Sequence, residues 1–122
     1  MSFHQSARNW RLRVEDGITW FRCELRDRHG EYHERTIRLD DHIGNTDGWF
    51  IWGGQNFTRT ARDIRLEDSD RGPKLVAVME MHGGGDRGLQ GLYLSDKIEN
   101  SDGHLRFIVS SSCFCVVDCR GR

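Results

Sequence analysis

No run of apolar residues in this 122-residue chain is long enough to span a bilayer, which excludes a membrane-crossing helix among its residues. A dominant charge is lacking too: 18 Lys and Arg stand against 19 Asp and Glu, a net of −1. A dedicated nucleic-acid or membrane-surface binder carries one dominant sign, so neither partner is expected. Cysteine is scarce and poorly spread for bridging. Of Cys23, Cys113, Cys115 and Cys119, three fall in the last stretch, which is no disulfide framework and suits a reducing compartment. The opening Met-Ser-Phe-His-Gln-Ser-Ala-Arg has no apolar signal core, so the expected location is the cytoplasm. Proline occurs once, at Pro73, in a polar stretch (68–73) that reads as a loop. The length suits one small domain with a modest core.

What the chain does have is a duplication. Residues 37–52 read Ile-Arg-Leu-Asp-Asp-His-Ile-Gly-Asn-Thr-Asp-Gly-Trp-Phe-Ile-Trp, and residues 92–107 read Leu-Tyr-Leu-Ser-Asp-Lys-Ile-Glu-Asn-Ser-Asp-Gly-His-Leu-Arg-Phe. Leu39, Asp41, Ile43, Asn45, Asp47 and Gly48 match Leu94, Asp96, Ile98, Asn100, Asp102 and Gly103. Upstream, 3–12 is echoed by 57–66, with Phe, Ala-Arg and Arg-Leu recurring in register and Ser6 answering Thr60. Two repeats of about fifty residues therefore fill most of the chain, at about 3–52 and 57–107. Neither half is expected to bury its apolar face alone, and packing the two with pseudo-twofold symmetry solves this.

Within a repeat, alternation predicts strands at 18–26 and 32–39, with 75–81 and 89–94 as their second-half counterparts. Cys23 falls on the apolar side of the first and reads as a small buried hydrophobe. Residues 41–44 suit one helical turn anchored by Ile43. Asp47-Gly48 supplies a tight turn, and 49–52 is the returning strand. Residues 82–88 read as a glycine-rich turn. Gly53-Gly54 links the halves as a hinge (53–56) that permits domain swapping. Beyond Val109 the repeat has no counterpart. Cys113, Cys115 and Cys119 lack a fourth ligand at zinc spacing, so 110–122 is expected to be a poorly ordered tail.

These motifs carry a resemblance. The stretch 37–48, Trp-Gly-Gly-Gln-Asn-Phe at 52–57 and Leu-Ser-Asp-Lys-Ile-Glu-Asn-Ser-Asp-Gly at 94–103 are similar to the cyanovirin-N homologue (CVNH) lectins, over residues 3 to about 109. The likeness is greatest to the fungal-type members, which tolerate loss of the family's disulfides. Where those bridges stand, this chain has Ala7 and Ala61, opposite Leu25 and Met79, or opposite Cys23 if the first hairpin is slid. Apolar packing must supply the roughly 2–4 kcal/mol a bridge gives. The resemblance implies one all-β domain (1–109). Each half would be a three-stranded sheet plus a β-hairpin, with short helical turns and strands exchanged between repeats.

It also implies binding of mannose-rich glycans, chiefly terminal α1–2-linked mannose, with no cofactor or metal, by a monomer that could swap into a dimer. Carried over by position, a first site uses Gln5, Ser6, Arg26, Arg28, Asn100, Ser101 and Asp102. A second uses Asn45, Thr46, Asp47, Gln55, Asn56, Thr60, Glu80 and His82. Amides and carboxylates suit adjacent sugar hydroxyls, which both donate and accept. Affinity per site should be modest, since hydroxyls give up good water contacts to bind. Arg26 and Arg28 replace an acid and a threonine of the family's first site. The second site departs at Arg59, Glu80 and His82, before Gly83–Gly85. One weak site is expected to dominate. The Gln5-Ser6 pair and a shorter hairpin favour the first.

Two rival readings exist. His82-Gly83-Gly84-Gly85 resembles an esterase oxyanion loop, but no Gly-x-Ser-x-Gly elbow accompanies it. Asp47 and Asp102 could suggest a glycosidase pair, yet the repeat symmetry puts them at separate ends. The chain is therefore expected not to be an enzyme. The other rival is a non-catalytic protein-interaction module on the same fold that has lost sugar binding.

Overall fold

The computed structural model describes residues 5–108. Along the chain lie β1 (Ala7–Glu15), β2 (Ile18–Arg26), β3 (Tyr32–Arg38), β4 (Ile43–Thr46), β5 (Trp49–Trp52), β6 (Ala61–Ser69), β7 (Gly72–Glu80), β8 (Asp86–Tyr93), β9 (Ile98–Ser101) and β10 (His104–Phe107). They form two three-stranded antiparallel sheets, β1-β2-β3 and β6-β7-β8, and two hairpins, β4-β5 and β9-β10. The fold is thus all-β, in two repeated halves.

Alternation builds the sheets. Along β2, Thr19, Phe21, Cys23 and Leu25 are buried and their neighbours are not. Phe21, Cys23, Leu25, Leu39 and Ile43 of the first half pack in one cluster with Phe57, Leu75, Met79, Leu94 and Ile98 of the second. The Cys23 thiol lies inside this cluster, and burial pushes its pKa up to about 12. It is an inert small hydrophobe at neutral pH.

The hairpins are exchanged. Asn45 on β4 donates to Thr60 Oγ1 (2.9 Å) and to the Glu80 carbonyl (3.0 Å) of the second sheet. Asn100 on β9 donates to Ser6 Oγ (2.8 Å) and to the Arg26 carbonyl (2.8 Å) of the first. Each repeat's hairpin therefore closes the other repeat's sheet. Asp40, 1% exposed, ties the halves from inside. Its carboxylate accepts the backbone N–H groups of Thr19 (2.7 Å) and Thr58 (3.0 Å) and the Thr58 hydroxyl (2.7 Å).

Four expectations need correcting. The helical turn is a 3-10 turn at Leu39–Asp41, ahead of Ile43, which opens a strand. The stretch 68–73 is no loop: Asp68 pairs with Pro73 and Ser69 with Gly72, leaving Asp70-Arg71 as the whole turn. Pairing with β8 starts only at Lys74, so the missing proline N–H interrupts no ladder. The second hairpin tip is no longer than the first. Met81 N–H donates to Gly85 O and Gly84 N–H to Met81 O, as Asp27 N–H does to Glu31 O and Gly30 N–H to Asp27 O. The linker is not a loose hinge, since a Cβ on Gly54 would lie 2.8 Å from the Gly44 Cα. Gly53 N–H is bound to His42 O (2.8 Å) and Asn56 N–H to Asp40 O (2.9 Å).

The register chooses between the two alignments of the bridge positions. Ala7 faces Leu25 and Ala61 faces Met79, while Cys23 sits opposite Arg35. The tail cysteines Cys113, Cys115 and Cys119 lie outside the described residues.

Candidate functional site: two matched turns and a cavity

Each Asn-x-Asp-Gly segment folds as a two-residue hairpin turn. Asp47 (φ 50°) and Gly48 (φ 87°) both take the left-handed conformation, as do Asp102 (φ 50°) and Gly103 (φ 86°). The preceding Asn is spent on the protein. Asn45 Oδ1 accepts Gly48 N–H (2.8 Å) and Asn100 Oδ1 accepts Gly103 N–H (2.7 Å), while their amide N–H groups hold the opposite sheet as described above. Both asparagines are clamps that fix the turn, with no spare donor for a hydroxyl.

The aspartates are held by the opposite hairpin tip. Asp102 Oδ1 accepts Arg28 N–H (3.0 Å), and Oδ2 accepts Nε (3.0 Å) and Nη2 (2.8 Å) of the Arg28 guanidinium. That side-chain bond, with the backbone N–H next, brings the Asp102 pKa down to about 2. At the other turn Asp47 Oδ1 accepts His82 N–H (2.8 Å). Arg87 donates to the Asp47 carbonyl (2.8 Å) and to Oδ2 (3.1 Å). The His82 N–H is the largest cause of the lowered Asp47 pKa. Both turns therefore present an ionised carboxylate fixed in direction: Asp47 accepts two protein hydrogen bonds on its carboxylate and Asp102 three, out of roughly four acceptor positions each.

The Asp102 turn opens onto a cavity of about 480 Å³, lined by Ser6, Arg26, Asp27, Arg28, Gly30, Asn100 and Asp102. Five of the seven expected first-site residues thus come together. Gln5 is exposed where the described chain begins, and Ser101 is exposed on the turn. Of the second set, Asn45 holds Thr60 Oγ1 and the Glu80 carbonyl, Asp47 holds the His82 N–H, and Thr46 ends β4 just before the turn. Gln55 and Asn56 stand exposed on the linker.

Asp27, Gly30 and Arg87 were missed by sequence reasoning. Asp27 Oδ1 accepts the N–H groups of His29 (2.8 Å) and Glu31 (3.0 Å), and Oδ2 meets His33 Nε2 at 2.7 Å. The His33 contact is the main reason its pKa is lowered. Asp27, Glu31 and His33 bring one donor atom each within 4.8 Å of one another, as a metal would require. Both Asp27 oxygens already accept protein hydrogen bonds, so the trio braces the hairpin tip that positions Arg28. The Asp-x-x-Gly spacing across that tip was the available signal. Nothing comparable marked Arg87.

Against known proteins, the family model described as CVNH domain matches residues 3–106. A cyanovirin-N homolog of Neurospora crassa is 47% identical over 70 residues, an alignment spanning 57% of this chain and 63% of that protein. The solution structure of the Gibberella zeae CVNH superposes with a TM-score of 0.77 at 36% identity, over 88% of this chain and 98% of that one. A microvirin structure, solved as a mannobiose complex, gives 0.72 at 31% identity, over 87% and 97%. With the family model covering most of the described residues and solved relatives superposing along nearly their whole length, this chain belongs to the CVNH family of carbohydrate-binding lectins.

Proposed function

We propose that this chain binds mannose-rich glycans, chiefly through terminal α1–2-linked mannose, and that the first site dominates. The cavity at the Asp102 turn carries the reading. It joins a fixed anionic acceptor, Asp102, to a guanidinium donor, Arg28, at the mouth of a hollow of about 480 Å³. Adjacent sugar hydroxyls donate and accept at once, so a carboxylate beside a guanidinium matches a vicinal pair. The expected preference for a shorter first hairpin gives no support, because the two tips are equal, and the cavity replaces it as the reason. Nothing in this arrangement calls for bond breaking. Asp47 and Asp102 are each held by a different sheet, so they do not flank a single glycosidic bond. The protein acts as a monomer and leaves the glycan intact.

Amide-resolved NMR titration with α1–2 mannobiose tests this. Shifts should concentrate at Arg26, Asp27, Arg28, Gly30, Asn100 and Asp102. Comparable shifts around Asp47 and His82 would refute dominance of the first site. A blank glycan array from the folded protein would support the rival interaction module, a role the protein-bound state of both aspartates also fits.

A further inference from the structure

The outer face of β1-β2-β3 carries a second hollow, away from either turn. It measures about 200 Å³ and is lined by Arg13, Glu15, Trp20, Arg22 and Thr36. We infer that it is a third saccharide site, which takes one neutral hexopyranose ring stacked on Trp20.

The register puts these groups together. Trp20 on β2 faces Arg13 on β1 and Arg38 on β3, and Arg22 faces Thr36. Trp20 alternates with the buried Thr19 and Phe21, so it points away from the core and is only partly covered. A pyranose has a C–H face and a rim of hydroxyls. An indole offers the C–H face an electron-rich surface. The rim would meet the Glu15 carboxylate as acceptor, the Arg13 and Arg22 guanidinium groups as donors and the Thr36 hydroxyl as either. Drug-sized ligands occupy roughly 300–1,000 Å³, so this hollow admits a single ring.

Charge argues for a neutral occupant. Arg13 is paired with Glu15, Nη2 to Oε2, at 2.5 Å, and Arg22 with Glu34 at 2.5 Å. Arg38 lies 3.4 Å from Asp41. Each cation already has its counter-ion, and the pairs hold the polar groups in place around the ring.

The second repeat provides an internal control. There the places of Trp20 and Thr36 fall to Lys74 and Gly91, as the pairing of Lys74 with Tyr93 and of Val76 with Gly91 shows. The Lys74 stem lies across Gly91, so close that an added Cβ would meet its Cε at 2.3 Å. Its ammonium stands 5.4 Å from the Tyr93 ring. The Lys74 stem therefore fills this spot in one half, while in the other a hollow remains with the Arg38 guanidinium 6.0 Å from the Trp20 ring centre, and the hollow is a property of the sequence at 13–38 rather than of the architecture. Trp20 precedes Arg26 of the first cavity by six strand residues, about 20 Å. One branched glycan could reach both, and the two weak contacts would reinforce each other.

The test is a 15N NMR titration of the full chain with the methyl glycosides of mannose, glucose and galactose, read at the Trp20 indole N–H and the Arg22 and Thr36 amides. Saturable shifts at these positions, with millimolar affinity, are expected for at least one sugar. Trp20→Ala should abolish them. Trp20→Lys with Thr36→Gly, which copies the second repeat, should abolish them too while the rest of the spectrum keeps its dispersion. The inference is overturned if no neutral hexoside moves the Trp20 indole at tens of millimolar. It is also overturned if only glucuronate does so and added salt reverses the shift, because that is an anion site. Amides around Asp102 and Asp47 report separately on mannose binding at the turns, so failure of one reading leaves the other standing.

Discussion

At the residue scale the turns divide their labour between an asparagine that builds and an aspartate that faces outward. Replacing Asn100 by Ala removes the hydrogen bonds that it makes with Ser6 Oγ, Arg26 O and Gly103 N–H. The expected loss is about 1–3 kcal/mol of stability, measured by urea unfolding. Asn45→Ala should cost a similar amount, and the double variant should show the sum, since the two share no partner. Asp102 gives a pH prediction. Its folded-state pKa of about 2 lies below the ordinary 3.8 because Arg28 favours the charged form. The pair stabilises the fold above pH 3.8, and that contribution fades as pH falls through about 2. A carboxyl 13C titration should place the Asp102 midpoint near 2, and Arg28→Gln should move it up toward 3.8. The residue types at the turns were legible in the sequence because the repeat printed them twice. Their roles were not: amide and carboxylate look equally available until the hydrogen bonds show that Asn45 and Asn100 are used up. Arg87 was illegible for a related reason, since its contact with Asp47 crosses from one repeat to the other.

At the scale of the element, strands with clear alternation were read well. β2 and β5 were placed to the residue, as alternation or an aromatic run between turn residues allows. β1 and β6 were not recognised as strands. Each is broken by a bulge with left-handed Asn9 (φ 56°) or Asp63 (φ 55°), where the register shifts between Arg8 and Arg11 or Arg62 and Arg65. A bulge disturbs the two-residue period on which such a reading depends. The extra residue in β8, at the shift between Val78 and Glu80, likewise hides the equivalence of Thr36 and Gly91. The register supports an engineering prediction. Ala7 and Leu25 are Cα partners, so Ala7→Cys with Leu25→Cys should oxidise readily. Closing a loop of that length is worth about 3 kcal/mol, whereas truncating a fully buried leucine costs about 2–5 kcal/mol. The oxidised variant should therefore be no more stable than the parent, although its reduced form should be about 3 kcal/mol weaker than the oxidised one. Guanidinium unfolding with and without reductant reads both differences. A large net gain over the parent would mean that the Leu25 cavity collapses at little cost. On this view the two described sheets do without bridges at these positions because Leu25 and Met79, opposite Ala7 and Ala61, fill the space with apolar volume.

At the scale of the molecule the question is how two halves that trade hairpins stay on one chain. Sequence reasoning saw two glycines between repeats and inferred freedom. The structure uses Gly54 for contact instead: it crosses Gly44 so closely that neither can carry a Cβ. Asp40 adds a buried knot between Thr19 of the first half and Thr58 of the second. The linker is thus fastened on both sides of the crossing, by Gly53 N–H to His42 O and Asn56 N–H to Asp40 O. Gly54→Ala places a methyl group 2.8 Å from the Gly44 Cα, and backbone on both sides must move. A loss of about 1–3 kcal/mol is expected from such overpacking. An alternative relieves it. If the linker opens and the second half docks on the first half of another chain, every contact between halves is kept and only the crossing is given up. Gly54→Ala should therefore raise the dimer fraction after refolding at high concentration, seen by size-exclusion chromatography with light scattering, while the parent elutes as a monomer. Destabilisation with no dimer would show that the fastened linker cannot open even under strain. An unchanged midpoint would show that the crossing gives way without cost, and that Asp40, the exchanged hairpins and the shared core keep the halves together without it.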